Sequence, residues 1–297
     1  MIGSFGKSML CPEPGLPQDE VRRRQNRLGE CIGYVRWQAR RHRCGRVLVV
    51  TYQAVEAAFT NIPNVETLHF NAVAGLDRYK DVACLIVIGR PLPSHIELEA
   101  LAGGYFGATG ASGYTTERTG VRTVSGDVRG VRVIRHRDAT AEDLRAAICD
   151  DELVQAIGRG RGVNRTVDNP LEVHVLADVA PPLAYDKVTT WDVEAPDVVQ
   201  RMLLAGIAVD SPADAAVLHP QMFESVEQAK KAFQRAVFKG QNPMKDTYRE
   251  MSLKSAAYRR SGRGVGWQTA YWVSDEREEI RHALEETLRS LADWRPH

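Results

Sequence analysis

The sequence predicts an α/β protein in two parts, a parallel-sheet domain followed by a smaller α+β domain. Short apolar or β-branched runs recur in the first half, at Val47–Thr51 (VLVVT), 65–70 (VETLHF), 83–88 (ACLIVI) and 171–176 (LEVHVL), separated by helical segments and loops. Continuous runs of this kind describe strands buried on both faces, as in a parallel sheet covered by helices. The turn-rich Ala180-Pro181-Pro182-Leu183 ends the pattern, and beyond it the composition becomes helical and basic. A chain of 297 residues, 43% hydrophobic and 26% charged, is long enough for about two domains of ~150 residues each. The expected division is a basic lead-in over 1–45, the sheet domain over 46–183 and the smaller domain over 184–297.

Each element follows from local pattern. Residues 22–46 carry nine arginines against one acid, Glu30, interleaved with Leu28, Ile32, Val35 and Trp37, which suits a surface helix. Residues 53–59 read as a short helix between the first two strands, and 95–102 as a helix after the third. Residues 114–136 alternate around Gly120, Gly126 and Gly130, the pattern of an inserted hairpin or meander. Thr140 with Asp143 starts a helix to about Ile148, and Asp150 or Asp151 caps a second one to Ile157. After the boundary come helices at 197–204 and 226–238, a strand at 253–258, the turn RRSGRGVG, a strand at 267–273 and a final helix over 275–291. Helices followed by a two-stranded ribbon with a basic glycine-rich tip resemble a winged helix.

Net charge is +1, so any affinity for nucleic acid must come from local patches. The five cysteines are scattered without a C-x-x-C pair, against both a disulfide framework and a structural zinc site, and no metal ligand set is expected. His69 and His174 fall in strands, where a satisfied core histidine is the expectation. No apolar run approaches the ~18 residues of a spanning helix and the start lacks a secretory pattern, so no membrane partner and a cytoplasmic location are expected.

The strongest chemical signal is Gln155-Ala-Ile-Gly158-Arg159-Gly-Arg161-Gly-Val-Asn-Arg165, after a helix and before a strand. Arginines on a glycine-rich turn form a rigid fork for phosphate oxygens, glycines admit close backbone approach, and Gln155 lies one helical turn before. QAIGRGRG resembles motif VI of superfamily 2 helicases, Gln-x-x-Gly-Arg-x-x-Arg, in their second RecA-like domain. Gln155, Gly158 and Arg159 match; the second arginine of the family pattern falls on Gly162, between Arg161 and Arg165, and either of these is a candidate second finger. Upstream, Ala74-Gly75-Leu76-Asp77 followed by Leu85-Ile86-Val87-Ile88 resembles motif V, and the strand at 47–51 stands where motif IV would. The resemblance spans about residues 46–178 and implies a RecA-like domain in which Gly75, Asp77 and Gly158 couple nucleotide state to nucleic acid, as in the helicase portions of phage or plasmid primase-helicases. The motifs are expected to open together on the carboxyl edge of the sheet.

ATP hydrolysis on such motors requires a phosphate loop, G-x-x-x-x-G-K-[ST], in a first RecA-like domain. Gly6-Lys7-Ser8 has only its ending. ATP and Mg are therefore expected only with a complementary first RecA-like domain, and the chain by itself is expected to lack ATPase activity. Residues 230–263 place ten basic side chains against two acids, and Lys230, Lys231, Arg235, Arg259, Arg260 and Arg263 are the candidate contacts to DNA or RNA, single-stranded or at a duplex junction. Tyr258, Trp267, Tyr271 and Trp272 are expected chiefly in the core. Two other functions fit less of the chain: a non-catalytic nucleic-acid-binding protein of phage or plasmid replication, and an α/β enzyme clamping a small phosphorylated substrate with Arg159 and Arg161.

Overall fold

The computed structural model describes residues 3–72, 78–235, 247–262, 266–273 and 277–297. The chain forms two compact units, Met1–Ala195 and Pro196–His297. The fold is mixed α/β, with one parallel four-stranded sheet in the first unit and antiparallel sheets elsewhere.

The first unit is organised by two strands that water does not reach. β1 (Val47–Thr51) and β3 (Cys84–Ile88) are buried at every residue and lie side by side. The outer positions go to β2 (Val65–His69) and β6 (Glu172–Leu176), giving the order β2-β1-β3-β6, all parallel, as the apolar runs predict. Two-sided burial requires cover on both faces, at about 1.5–3 kcal/mol for each fully buried Val, Leu or Ile. Part of that cover comes from the N-terminal segment. α1 (Lys7–Leu10) leads into α2 (Gln18–Arg41), whose Cys31, Tyr34 and Val35 join the sheet core together with Phe5 and Leu10. Residues 1–45 are thus part of this unit rather than a separate lead-in.

α3 (Gln53–Glu56) links β1 to β2, and α4 (His95–Phe106) starts at Ser94 in a reciprocal capping box with Glu97. β4 (Tyr114–Arg122) and β5 (Val128–His136) form the expected antiparallel hairpin. The two short helices expected over 140–157 are one helix, α5 (Ala139–Gly158), capped by Asp138. Asp150 caps nothing because Arg145, buried mid-helix, holds it and Glu142 together at 2.8–3.0 Å. α6 (Trp191–Glu194) ends the unit. Trp191 packs on Phe5 and Tyr34 and donates to Glu30 at 3.0 Å, which is why 184–195 belong here and not to the second unit.

In the second unit, α7 (Val198–Leu204), capped by Asp197, precedes β7 (Ala208–Val209), α8 (Pro212–Leu218), capped by Ser211, and α9 (Val226–Arg235). β8 (Thr247–Tyr248) and β9 (Met251–Ser252) make a small hairpin. β10 (Lys254–Arg260), β11 (Gln268–Trp272) and, after α10 (Arg277–Leu288), β12 (Leu291–Pro296) complete an antiparallel sheet ordered β12-β10-β11-β7. The expected ribbon therefore has four strands. The last helix stops at Leu288 because Arg289 takes a left-handed φ of 69° and turns the chain into β12, where Trp294 stacks on Trp272. Tyr258, Tyr271 and Trp272 are buried, as expected of core aromatics, whereas Trp267 is exposed and lies under the guanidinium groups of Arg259 and Arg295 instead of in the core. Among the described residues no helix is long and apolar enough to cross a membrane.

α2 is fastened to the sheet by one carboxylate. Glu172, the first residue of β6, accepts from Arg41 in a bidentate pair at 3.0 and 3.1 Å, from His42 at 3.1 Å and from His174 at 2.8 Å. These partners, His174 first, then His42 and Arg41, hold its carboxyl well below the usual carboxylate range. A depressed carboxyl stabilises the fold above the unfolded value of ~4.3 and loses that contribution as pH falls toward the folded value. Thermal melts followed by near-ultraviolet circular dichroism between pH 2 and 7 should show Glu172→Gln melting lower than wild type at pH 7, with the difference shrinking steadily below pH ~4.

Candidate functional site

The helix α5 runs toward the amino edge of the sheet, and the Gln155–Arg165 segment turns there into β6. This corrects the expected edge: the arginine turn lies where strands begin, not where they end. The carboxyl edge is filled by Arg90 and Asp178, a buried ion pair, with the Tyr52 hydroxyl donating to the Arg90 carbonyl at 2.8 Å.

Residues 73–77, and with them Gly75 and Asp77, lie outside the described residues. Their flanks are described. On one side the Asn71 amide donates to Glu152 on α5 at 2.7 Å, one turn before Gln155. On the other side Arg46, just before β1, donates to the Arg78 carbonyl at 3.1 Å, and Arg165 donates to the Val82 carbonyl at 2.8 Å. Both ends of the Gly-Leu-Asp segment are therefore tied to the helix and turn that carry the Gln-x-x-Gly-Arg sequence.

The three candidate arginines have different surroundings. Arg165 is committed: besides Val82 it donates through Nε to the Gly160 carbonyl at 2.9 Å and through Nη1 to Asn169 at 2.9 Å. It braces the turn against the strand edge. Arg161 takes a left-handed φ of 52°, which costs a non-glycine residue roughly 1 kcal/mol. A strained arginine between two glycines is the kind of position that function, rather than folding, maintains. Arg159, half-buried, follows the last residue of α5; its Nε is shut away from solvent without a hydrogen-bond partner. It has no ion pair among the described residues. Helix C-termini attract cations, but Arg159 does not spend its donors on the last carbonyls of α5.

The glycines divide likewise. At Gly160 a Cβ would lie 2.4 Å from Leu171 Cδ2, so a larger residue there would have to displace the Leu171 side chain. At Gly158 a Cβ would meet nothing within 4 Å; the space beside Arg159 is open, and Gln155, one turn earlier on the same helical face, is exposed. Such an arrangement can receive an anion on two guanidinium groups and an amide, with Arg165 fixing the turn. It suits a phosphate group. Among the described residues no three His, Cys, Asp or Glu side chains gather as a metal site.

The basic candidates of the second unit are mostly engaged. Arg260 donates to Asp214 at 2.8 Å, and the other oxygen of this buried carboxylate accepts from Tyr258 at 2.6 Å. Arg259 pairs with Asp293 and lies over the Trp267 ring, and Lys230 pairs with Glu227 at 2.6 Å. Arg263 lies outside the described residues. Lys231 and Arg235 are exposed on α9 and have no ion pair among the described residues. Sequence reading did not foresee the bracing of Arg165, although Asn169 four residues on was a visible partner for it.

The architecture thus defines a mixed α/β protein with an arginine turn at the amino edge of a parallel sheet. No protein-family model matches the chain, and neither the curated proteins nor the solved structures hold a significant match.

Two sets of variants follow. Arg165→Ala should lower stability by about 1–3 kcal/mol, since it strands the Val82 and Gly160 carbonyls, whereas Arg159→Ala should change it by less than about 0.5 kcal/mol; urea unfolding of both variants checks this. In the second unit, Arg260→Ala should cost about 2–3 kcal/mol by leaving the Asp214 carboxylate without its cation, and Arg259→Ala, in an exposed pair, under about 1 kcal/mol. Equal losses for Arg260 and Arg259 would show that burial of Asp214 does not set the cost.

Proposed function

We propose that this chain is the second, RecA-like half of a superfamily 2 nucleic-acid helicase or translocase, lending arginine fingers to a nucleotide bound on a phosphate-loop domain outside these 297 residues. The observation that supports the reading is the hydrogen bonding of the residues on either side of Gly75–Asp77: the Asn71 amide donates to Glu152 of α5 and Arg165 donates to the Val82 carbonyl, which sets described flanks of one motif against the helix and turn that carry the other. The smaller unit is read as an appended nucleic-acid-binding domain of winged-helix type.

In this reading ATP with Mg supplies the transferable phosphoryl group. Arg159 and Arg161 approach the oxygens of its terminal phosphate, where charge builds up in the transition state, and Arg165 holds their loop. Arginine fingers of this kind contribute roughly 10³–10⁵ in rate in related motors. Gln155 offers an amide to the same phosphate or to a water beside it. Gly75 and Asp77 relay nucleotide state to the bound strand. The fit rests on the unpartnered Arg159 Nε and the open space at Gly158.

Calorimetric titration of the chain with tripolyphosphate, a mimic of the nucleotide's phosphate chain, tests the turn. Wild type should bind weakly, with Kd near 1 mM, about −4 kcal/mol, and Arg159→Ala and Arg161→Ala should each weaken binding about tenfold while Arg259→Ala leaves it unchanged. Binding that is equal in wild type and Arg159→Ala would end the arginine-finger assignment. The chain alone should show no Mg-dependent ATP hydrolysis; robust hydrolysis lost on Arg159→Ala would mean that the nucleotide site is complete within it.

A further inference from the structure

The β4–β5 hairpin presents a basic surface that the fold does not use. Cross-strand pairing places Arg118 directly opposite Arg132 and Arg122 opposite Val128, with Gly120 opposite Gly130 between them. Paired residues share a face, so Arg118, Arg122 and Arg132 stand on one side of the hairpin. All three are exposed, and none has an ion pair among the described residues. On the other side Val121, Val131 and Val133 are buried against Ala180, Tyr185 and Val188, and on the arginine side only the far end, Tyr114 and buried His136, packs against α4 and α5. Neither nearby acid offsets the arginines: Glu117 lies opposite Val133 on the other face, and Asp127 sits in the turn, held by Ser125 at 3.1 Å.

Two like charges directly opposite each other in a sheet are destabilising, and opposite-charge pairs would have been favoured by roughly 0.2–1 kcal/mol. Folding gains nothing from Arg118 facing Arg132. The hairpin is also held in place. The Ile134 amide donates to the Asp178 carbonyl at 3.0 Å, the Val124 amide to Tyr185 at 2.9 Å, and the Tyr185 amide to Arg122 at 3.1 Å. Arg118 and Arg122, four residues apart on one strand, span about 13 Å. The floor between the arginines is low: a Cβ at Gly120 would meet only the exposed Val128 side chain, and one at Gly130 nothing within 4 Å.

We infer that the outward face of this hairpin, through Arg118, Arg122 and Arg132, is a binding surface for the phosphodiester backbone of a nucleic acid. Fixed arginine forks over a flat floor suit a chain of repeated anions, to which a guanidinium donates in bidentate fashion. A protein partner would instead call for an aromatic anchor or a pocket at the centre of the patch, and around the arginines this face carries Thr116, Gly120, Gly130 and the aliphatic Ile134 and Val128, with no aromatic side chain among them. The inference rests on the nucleic-acid half of the proposed function and is independent of its nucleotide half.

Fluorescence anisotropy of the full chain with a labelled 20-mer oligothymidylate, and with a 20-base-pair duplex, at several salt concentrations tests it. Arg118→Ala/Arg122→Ala/Arg132→Ala should weaken binding roughly tenfold or more at low salt and flatten the log–log salt slope by about 2 units on the single strand, at ~0.7 per lost phosphate contact. The matching triple Arg→Lys variant should keep most of the slope, which separates lost charge from a damaged fold. Lys231→Ala/Arg235→Ala serves as the comparison from the second unit. Wild-type binding that the triple alanine variant retains in full, and that Lys231→Ala/Arg235→Ala loses, would overturn the hairpin surface while leaving the nucleic-acid reading in place. No binding of either oligonucleotide by wild type would overturn both. Binding of polyglutamate but of neither oligonucleotide would overturn the inference in favour of an acidic protein partner.

Discussion

The first unit depends on the two-sided burial of β1 and β3. Five buried positions in each of these two strands leave the chain no choice but to cover both faces of a narrow, four-stranded sheet. That demand reaches far along the chain. It recruits α2 from the N-terminal basic stretch through Cys31, Tyr34 and Val35, and it seats α5 through Cys149, Leu153 and Ala156. Burial pushes the thiols of Cys31 and Cys149 up to about 12, so these cysteines serve as small apolar core residues rather than nucleophiles. Because α5 must lie against the sheet, its end is fixed at the amino edge, and the arginine turn with it.

Charge in this protein separates into groups that the fold consumes and groups that it leaves. Arg24 is nearly buried and serves the Cys11 carbonyl at 2.8 Å with Glu20 and Glu13 nearby; Arg41 clamps Glu172; Arg145 bridges Glu142 and Asp150; Arg260 answers Asp214. Each is an arginine whose removal would expose an acid or a carbonyl to burial without a partner. Arg159, Arg118, Arg122 and Arg132 have no such duty. Functional readings are best placed on this second group, because a side chain that folding does not need and that is nonetheless held in position is available for a ligand.

Motif resemblance and geometry support each other only in part. The order of the short motifs suggested a helicase-like sheet domain, and the hydrogen bonds from Asn71 to Glu152 and from Arg165 to Val82 bring the flanks of one motif to the other. The same geometry engages Arg165 in bracing the turn and moves the turn to the opposite edge from that expected of open α/β sheets. That expectation applied a rule for loops that follow strands to a loop that follows a helix; Gln155–Arg161 ends α5 and precedes β6, so the amino edge is where it must emerge.

The sequence by itself determined the parallel sheet, because uninterrupted apolar runs have no other stable burial, and the hairpin, because alternation around Gly120, Gly126 and Gly130 has period two. It also determined where the arginine turn falls along the chain. Only the tertiary structure decided which basic residues are free. Arg259 and Arg260 look alike in sequence, yet one pairs at the surface with Asp293 and the other neutralises a buried acid 46 residues away. The run of nine N-terminal arginines looked like a solvated face but contributes a core helix. Asp150 carried the local marks of a cap and became the partner of Arg145, and the final strand β12 was hidden in a helical pattern until Trp294 found Trp272. For the charges among these the physical reason is shared: apolar burial follows from local pattern, whereas the fate of a charge is set by which opposite charge the folded chain brings within about 3 Å, and β12 likewise depends on a ring partner outside its own segment.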